Sequence, residues 1–146
     1  MTATLTTTST PAATTDPTVK GLWKPGLTAG VVAAVATTAI AAVASAMDVG
    51  VVSNDPHPIP VAGFAQLTLV FTIIGILIAR TQGRRAARPQ VAFGRTAVAL
   101  TALSFVPDVL LDTSLSGKLV LMLTHAVAAA IVIPVLVRHL PERSAR

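Results

Sequence analysis

The sequence predicts an all-α integral membrane protein, a four-helix up-down-up-down bundle behind a disordered N-terminal tail. Three observations carry this. Of the 146 residues, 53% are apolar and only 12% charged, about half the charged share of a soluble domain. The apolar residues gather into four runs, 27–47, 61–79, 91–107 and 119–137. The basic residues gather at alternate junctions between those runs. A soluble fold of this length cannot hide so much apolar surface, and a disordered chain needs the opposite composition.

The first element, residues 1–20, is Thr-rich, carries Pro11 and Pro17 and has no apolar run. It cannot repay the entropy of ordering and reads as a disordered tail. It lacks the early basic residues and short apolar core of a secretory signal, so the expectation is that it is retained. The bundle is expected over 21–140, followed by a short cytoplasmic tail at 141–146. Each run is roughly 25–32 Å long as a helix, the thickness of a hydrocarbon core. The separators VGVVSNDPHPIP, RTQGRRAARPQ and DVLLDTSLSGK are short and rich in helix breakers, so consecutive spans are antiparallel neighbours.

Charge sets the orientation. Lys20 and Lys24 precede the first span, Arg80, Arg84, Arg85, Arg88 and Arg95 surround the second loop, and Arg138, Arg143 and Arg146 follow the fourth span. The other side holds Lys118 with Asp48, Asp55, Asp108 and Asp112. The positive-inside rule then puts both termini in the cytoplasm and the two acidic loops outside. The same placement removes the nucleic-acid reading invited by a basic chain, because these residues flank spans and meet anionic headgroups. An aromatic share of 3% offers no base-stacking platform. With no cysteine there is no disulfide framework, thiolate metal site or cysteine nucleophile.

The first span carries a stripe of small residues every fourth position, Gly26, Gly30, Ala34, Thr38 and Ala42, continuing to Ala46. Such a stripe lets helix backbones approach closely, either in a homo-oligomer or within one bundle. The fourth span contains His125, and an ionisable group at that depth is costly enough to be a functional candidate. It lies roughly 9 Å below the outer end of its run. Gln66 on the second span and Thr101 on the third fall at a similar depth. The three form a candidate intramembrane polar layer, with Asp108 and Asp112 at a candidate outer mouth. Such a layer is either a satisfied interhelical hydrogen-bonding set or a proton-responsive, ligand-binding one.

Pro107 reads as the terminator of the third span, and Pro134 as a kink that frees the carbonyl of Ala130. His57, in the outer loop beside Asp55, reads as a surface residue, because one His and one carboxylate are weak grounds for a metal site. His139 reads as a helix-end residue at the inner boundary. The three histidines lie at different depths, so no paired haem ligation is expected. No HExxH, P-loop, GxGxxG or GxSxG motif occurs. The expectation is a non-enzymatic protein without cofactor or metal.

The segments GLWKPGLTAGVVAAV, DPHPIPV and above all LMLTHAVAAAIVIPVLVRHLP resemble an uncharacterised actinobacterial family of small four-helix membrane proteins, a domain of unknown function. The resemblance covers roughly residues 20 to 141, and its most specific part is His125, Ala129 and Pro134 in the last span. It implies a four-span inner-membrane protein and brings no activity with it. Small four-helix multidrug exporters are similar in size but need a carboxylate in the first span, and none lies between Lys20 and Asp48. The first functional expectation is association, with itself or a membrane partner, through the small-residue face. The alternative is a small transporter or outward-facing ligand-binding protein centred on His125, Gln66 and Thr101.

Overall fold

The computed structural model describes residues 21–49 and 59–142. The N-terminal tail, the loop residues Asp55 and His57, and residues 143–146 lie outside them. Among the described residues there are four helices and no strands. The helices are α1 (Trp23–Ala46), α2 (Val61–Arg85), α3 (Pro89–Leu110) and α4 (Leu115–Arg138), each long and apolar enough to cross a membrane.

Each helix outruns its apolar run for a local reason. Beyond Ala79, α2 continues to Arg85, with Arg84 and Arg85 in its last turn. Cations there complement the helix dipole and can reach the headgroups on long stems. At the start of α3, Pro89 occupies the first turn, where its missing N–H costs nothing. Ser114 caps α4 by accepting from the Gly117 amide at 3.2 Å, which satisfies one orphan donor of the first turn. After α1, Asp48 adopts φ 56°. The Asp48 amide donates to Ser45 and the Val49 amide to Ala44, a Schellman closure with aspartate at the left-handed position.

Pro107 does not end α3, which corrects the expectation. A proline removes only its own bond to the residue four earlier, and its carbonyl still accepts. Here that carbonyl takes the Leu111 amide at 2.9 Å, so the helix runs to Leu110. The extra turn puts Asp108 on the helix.

The helices form a ring in which α1 packs most closely, against α2 and α4, and α4 packs against α3. The share of the apolar window that is buried falls from 39% in α1 to 11% in α3, so α1 is the structural centre and α3 the most outlying helix. One apolar core gathers Leu22, Ala33, Ile76, Phe93 and Leu136, where α1 and α3 begin and α2 and α4 end. A smaller one joins Ala41, Phe64 and Leu121 toward the other end. Between them the buried Thr37 meets Thr68 hydroxyl to hydroxyl at 3.0 Å. Large exposed apolar residues such as Val35, Phe71, Leu103 and Leu119 cover the outside, as a lipid-facing surface requires.

The small-residue stripe lies inside the bundle only in part. A Cβ on Gly26 would come within 2.7 Å of Ile76 Cγ1, and one on Gly30 within 2.6 Å of Thr72 Cγ2. Ala34 is also buried, whereas Thr38 is half-buried and Ala42 exposed. The reason is geometric. A four-residue step overshoots a 3.6-residue turn by roughly 40°, so four steps carry Ala42 to the far side of α1. The face that packs is instead Gly26, Ala29, Gly30, Ala33, Ala34, Thr37, Ala41 and Ala44.

Candidate functional site

The sparsest packing in the ring is between α2 and α3. Near their connecting loop they are tied by Gln82 Nε2 donating to Thr96 Oγ1 at 2.9 Å. Gln90 Nε2 donates to the Leu140 carbonyl at 3.1 Å at the same end. Above that level a cleft of about 190 Å³ opens between α2 and α3, with α4 as its floor. Small residues make the room: Gly75 on α2, Ala97 on α3, and Ala128 and Ala129 on α4 all line it.

Three of the hydroxyls in the walls are turned back on their own helices. Thr72 donates to the Thr68 carbonyl at 2.7 Å, Thr101 to Ala97 at 2.9 Å and Ser104 to Thr101 at 2.7 Å. Each satisfies its donor locally, so the walls present mostly methyl and alkyl surface.

His125 stands at the end of the cleft toward the α3–α4 loop, with 36% of its side chain exposed. Its Nδ1 lies 2.9 Å from the Leu121 carbonyl oxygen and 3.0 Å from Asp108 Oδ2. Asp108 is 6% exposed, and Oδ2 is buried without a hydrogen-bond donor. The short distance to Asp108 and the missing hydrogen bond are reconciled by direction: the Nδ1 hydrogen points at Leu121, and the carboxylate lies to one side of the N–H axis. The Phe105 ring meets the imidazole edge to face at 6.4 Å. No described residue bonds Nε2.

The sequence-derived layer is brought together in part. His125 and Thr101 line the same cleft. Gln66 is exposed on the outside of α2. It lies at a comparable depth but roughly 130° from the centre of the buried face of α2, and Thr68 takes the inward position. Asp108 is a buried partner of His125 within the bundle, while Asp112 is exposed in the loop. His139 Nδ1 lies 2.8 Å from the Val135 carbonyl, exposed at the end of α4. Among the described residues no three His, Cys, Asp or Glu side chains converge.

Sequence reasoning sets Asp108 or Asp112 at the mouth as an aid to His125; what it does not reach is the burial of Asp108 inside the bundle, 3.0 Å from Nδ1. The signal was present: Asp108 is seven residues beyond Thr101, on the same face of a continuous α3. It was hidden by reading Pro107 as a stop.

These features define the class: a multi-pass membrane protein of four antiparallel helices, with one histidine–carboxylate pair at the end of an apolar cleft. The chain belongs to the family of unknown function DUF6069, whose model matches residues 17–142. No curated protein and no solved structure matches it.

Proposed function

We propose that the protein takes a small amphiphilic molecule into the cleft between α2, α3 and α4, as a transporter or an outward-facing binding protein. It is non-enzymatic in this reading and sits in a bacterial plasma membrane, an actinobacterial one by the family resemblance, with both termini cytoplasmic. The observation that carries the proposal is the partly exposed His125 ring at the end of an otherwise apolar cleft, backed by the buried Asp108 carboxylate. Ligand sites in proteins have this composition, mostly apolar with a few placed polar groups. The cleft volume is below the roughly 300–1,000 Å³ of drug-sized pockets, which favours a single slim chain over a bulky polycycle.

The orientation is supported by ten of the eleven basic residues falling on one side. Arg80 stacks over the Trp23 ring at 5.5 Å on that side, an arrangement suited to a headgroup interface. Gly26 and Gly30 are taken up by Ile76 and Thr72 of the same chain, so association with itself or a membrane partner, the second reading, would use the outer faces of the helices.

The test is to purify wild type and Ala128→Trp and compare organic extracts by mass spectrometry. Wild type is expected to retain a discrete amphiphile that the cleft-filling variant loses while keeping its helical circular dichroism. Identical extracts from two folded proteins would remove the ligand-binding reading.

A further inference from the structure

We infer that the cleft selects a cationic amphiphile, a primary alkylammonium whose N–H donates to His125 Nε2 while its chain lies along the α4 floor. This rests on the binding role proposed above and assigns the chemistry of the head.

The first step concerns the direction of the hydrogen bond. Both atoms around Nδ1, the Leu121 carbonyl at 2.9 Å and the Asp108 carboxylate at 3.0 Å, are acceptors. Nδ1 therefore carries the hydrogen, and in a neutral imidazole Nε2 is then a bare acceptor. The group that meets it must donate. A carboxylate or phosphate oxygen has nothing to give.

The second step concerns charge. Asp108 is buried behind the ring, with Oδ2 lacking any donor, and in a poorly screened interior its field reaches through the imidazole to Nε2. A cation there is attracted and an anion repelled. Few other charges compete. On α4, Lys118 Nζ is held 2.7 Å from the Val109 carbonyl, and Asp112 is exposed in the loop. The α2 and α1 residues at this level are Thr68 and Thr37, bonded to each other. The hydroxyls of Thr72, Thr101 and Ser104 are bonded to their own helices, so the acceptor offered to the head is His125 Nε2. From His125 to Leu136 the floor extends roughly 16 Å, room for a medium alkyl chain.

The experiment uses the full chain in phosphatidylcholine nanodiscs, with octylamine, octanol and octanoate as probes and the 15N signal of His125 Nε2 as readout. Octylamine is expected to bind about tenfold more tightly than octanol, the value of one charge-assisted hydrogen bond, with octanoate weaker than both. In His125→Gln, followed by isothermal titration calorimetry, the amide oxygen still accepts, so octylamine binding persists with its preference over octanoate. Equal or tighter binding of octanol or octanoate would overturn the inference and leave the cleft as an amphiphile site. Failure of all three probes would overturn the binding role as well.

Discussion

At the residue scale, Gly26 and Gly30 matter for what they leave out. The Cβ of an alanine at either position would stand within 2.7 Å of Ile76 or Thr72 side-chain carbons. Thr72 cannot easily give way, because it is β-branched and its hydroxyl is bonded to the Thr68 carbonyl. Overpacking of this kind costs about 1–3 kcal/mol. At Gly94 the nearest atom to a new Cβ is Val137 Cγ2 at 4.0 Å, and alanine there gains roughly 0.5–1 kcal/mol of helix propensity. Thermal unfolding in detergent should therefore show Gly26→Ala and Gly30→Ala melting below wild type and Gly94→Ala at or above it. A Gly30→Ala variant as stable as wild type would mean that α1 and α2 do not meet as described.

At the element scale, what decides a residue's role is its rotational phase on the helix. Ala41 is fully buried, and its neighbour Ala42 is exposed. Ala41→Leu should lower the melting temperature sharply through overpacking, while Ala42→Leu should be tolerated on the lipid face. The same principle separates what the sequence discloses from what it conceals. Four helices, their order and their approximate ends follow from run length, breakers and charge, because hydrocarbon thickness fixes how long an apolar run must be. Depth follows too, at 1.5 Å per residue, which is why His125 and Thr101 share a cleft. Phase does not follow when lipid-facing and buried positions are both apolar, since the amphipathic contrast that reveals the inner face of a soluble helix is absent. Gln66 is misplaced for that reason and Ala42 by the four-residue drift. Asp108 is a different case: a proline breaks only its own bond to the preceding turn, so the helix continues past Pro107 and carries Asp108 inward.

At the scale of the whole molecule, four antiparallel helices leave the α2–α3 side loosely closed, and the cleft opens in that gap. The bundle hangs on α1, so changes in α1 should affect stability while changes around the cleft affect binding. The orientation of the whole is open to a direct check, because the chain has no cysteine and single replacements report cleanly. Asp112→Cys is expected to react with an impermeant maleimide from outside intact cells, and Arg85→Cys only after permeabilisation. The reverse pattern would invert the protein and place the His125 end of the cleft toward the cytoplasm.

The central claim is that Asp108 and Leu121 hold the His125 ring, at the end of the cleft, with its hydrogen on Nδ1 and Nε2 bare. The most direct measurement is the 15N spectrum of histidine-labelled protein near pH 8, with His57→Gln and His139→Gln used to assign the His125 signals. The account predicts a protonated Nδ1 and an unprotonated Nε2 in the wild-type protein, with the Nε2 shift altered in Asp108→Asn as the carboxylate field is lost. A hydrogen on Nε2 in the wild-type protein, or a His125 spectrum indifferent to Asp108→Asn, would contradict it.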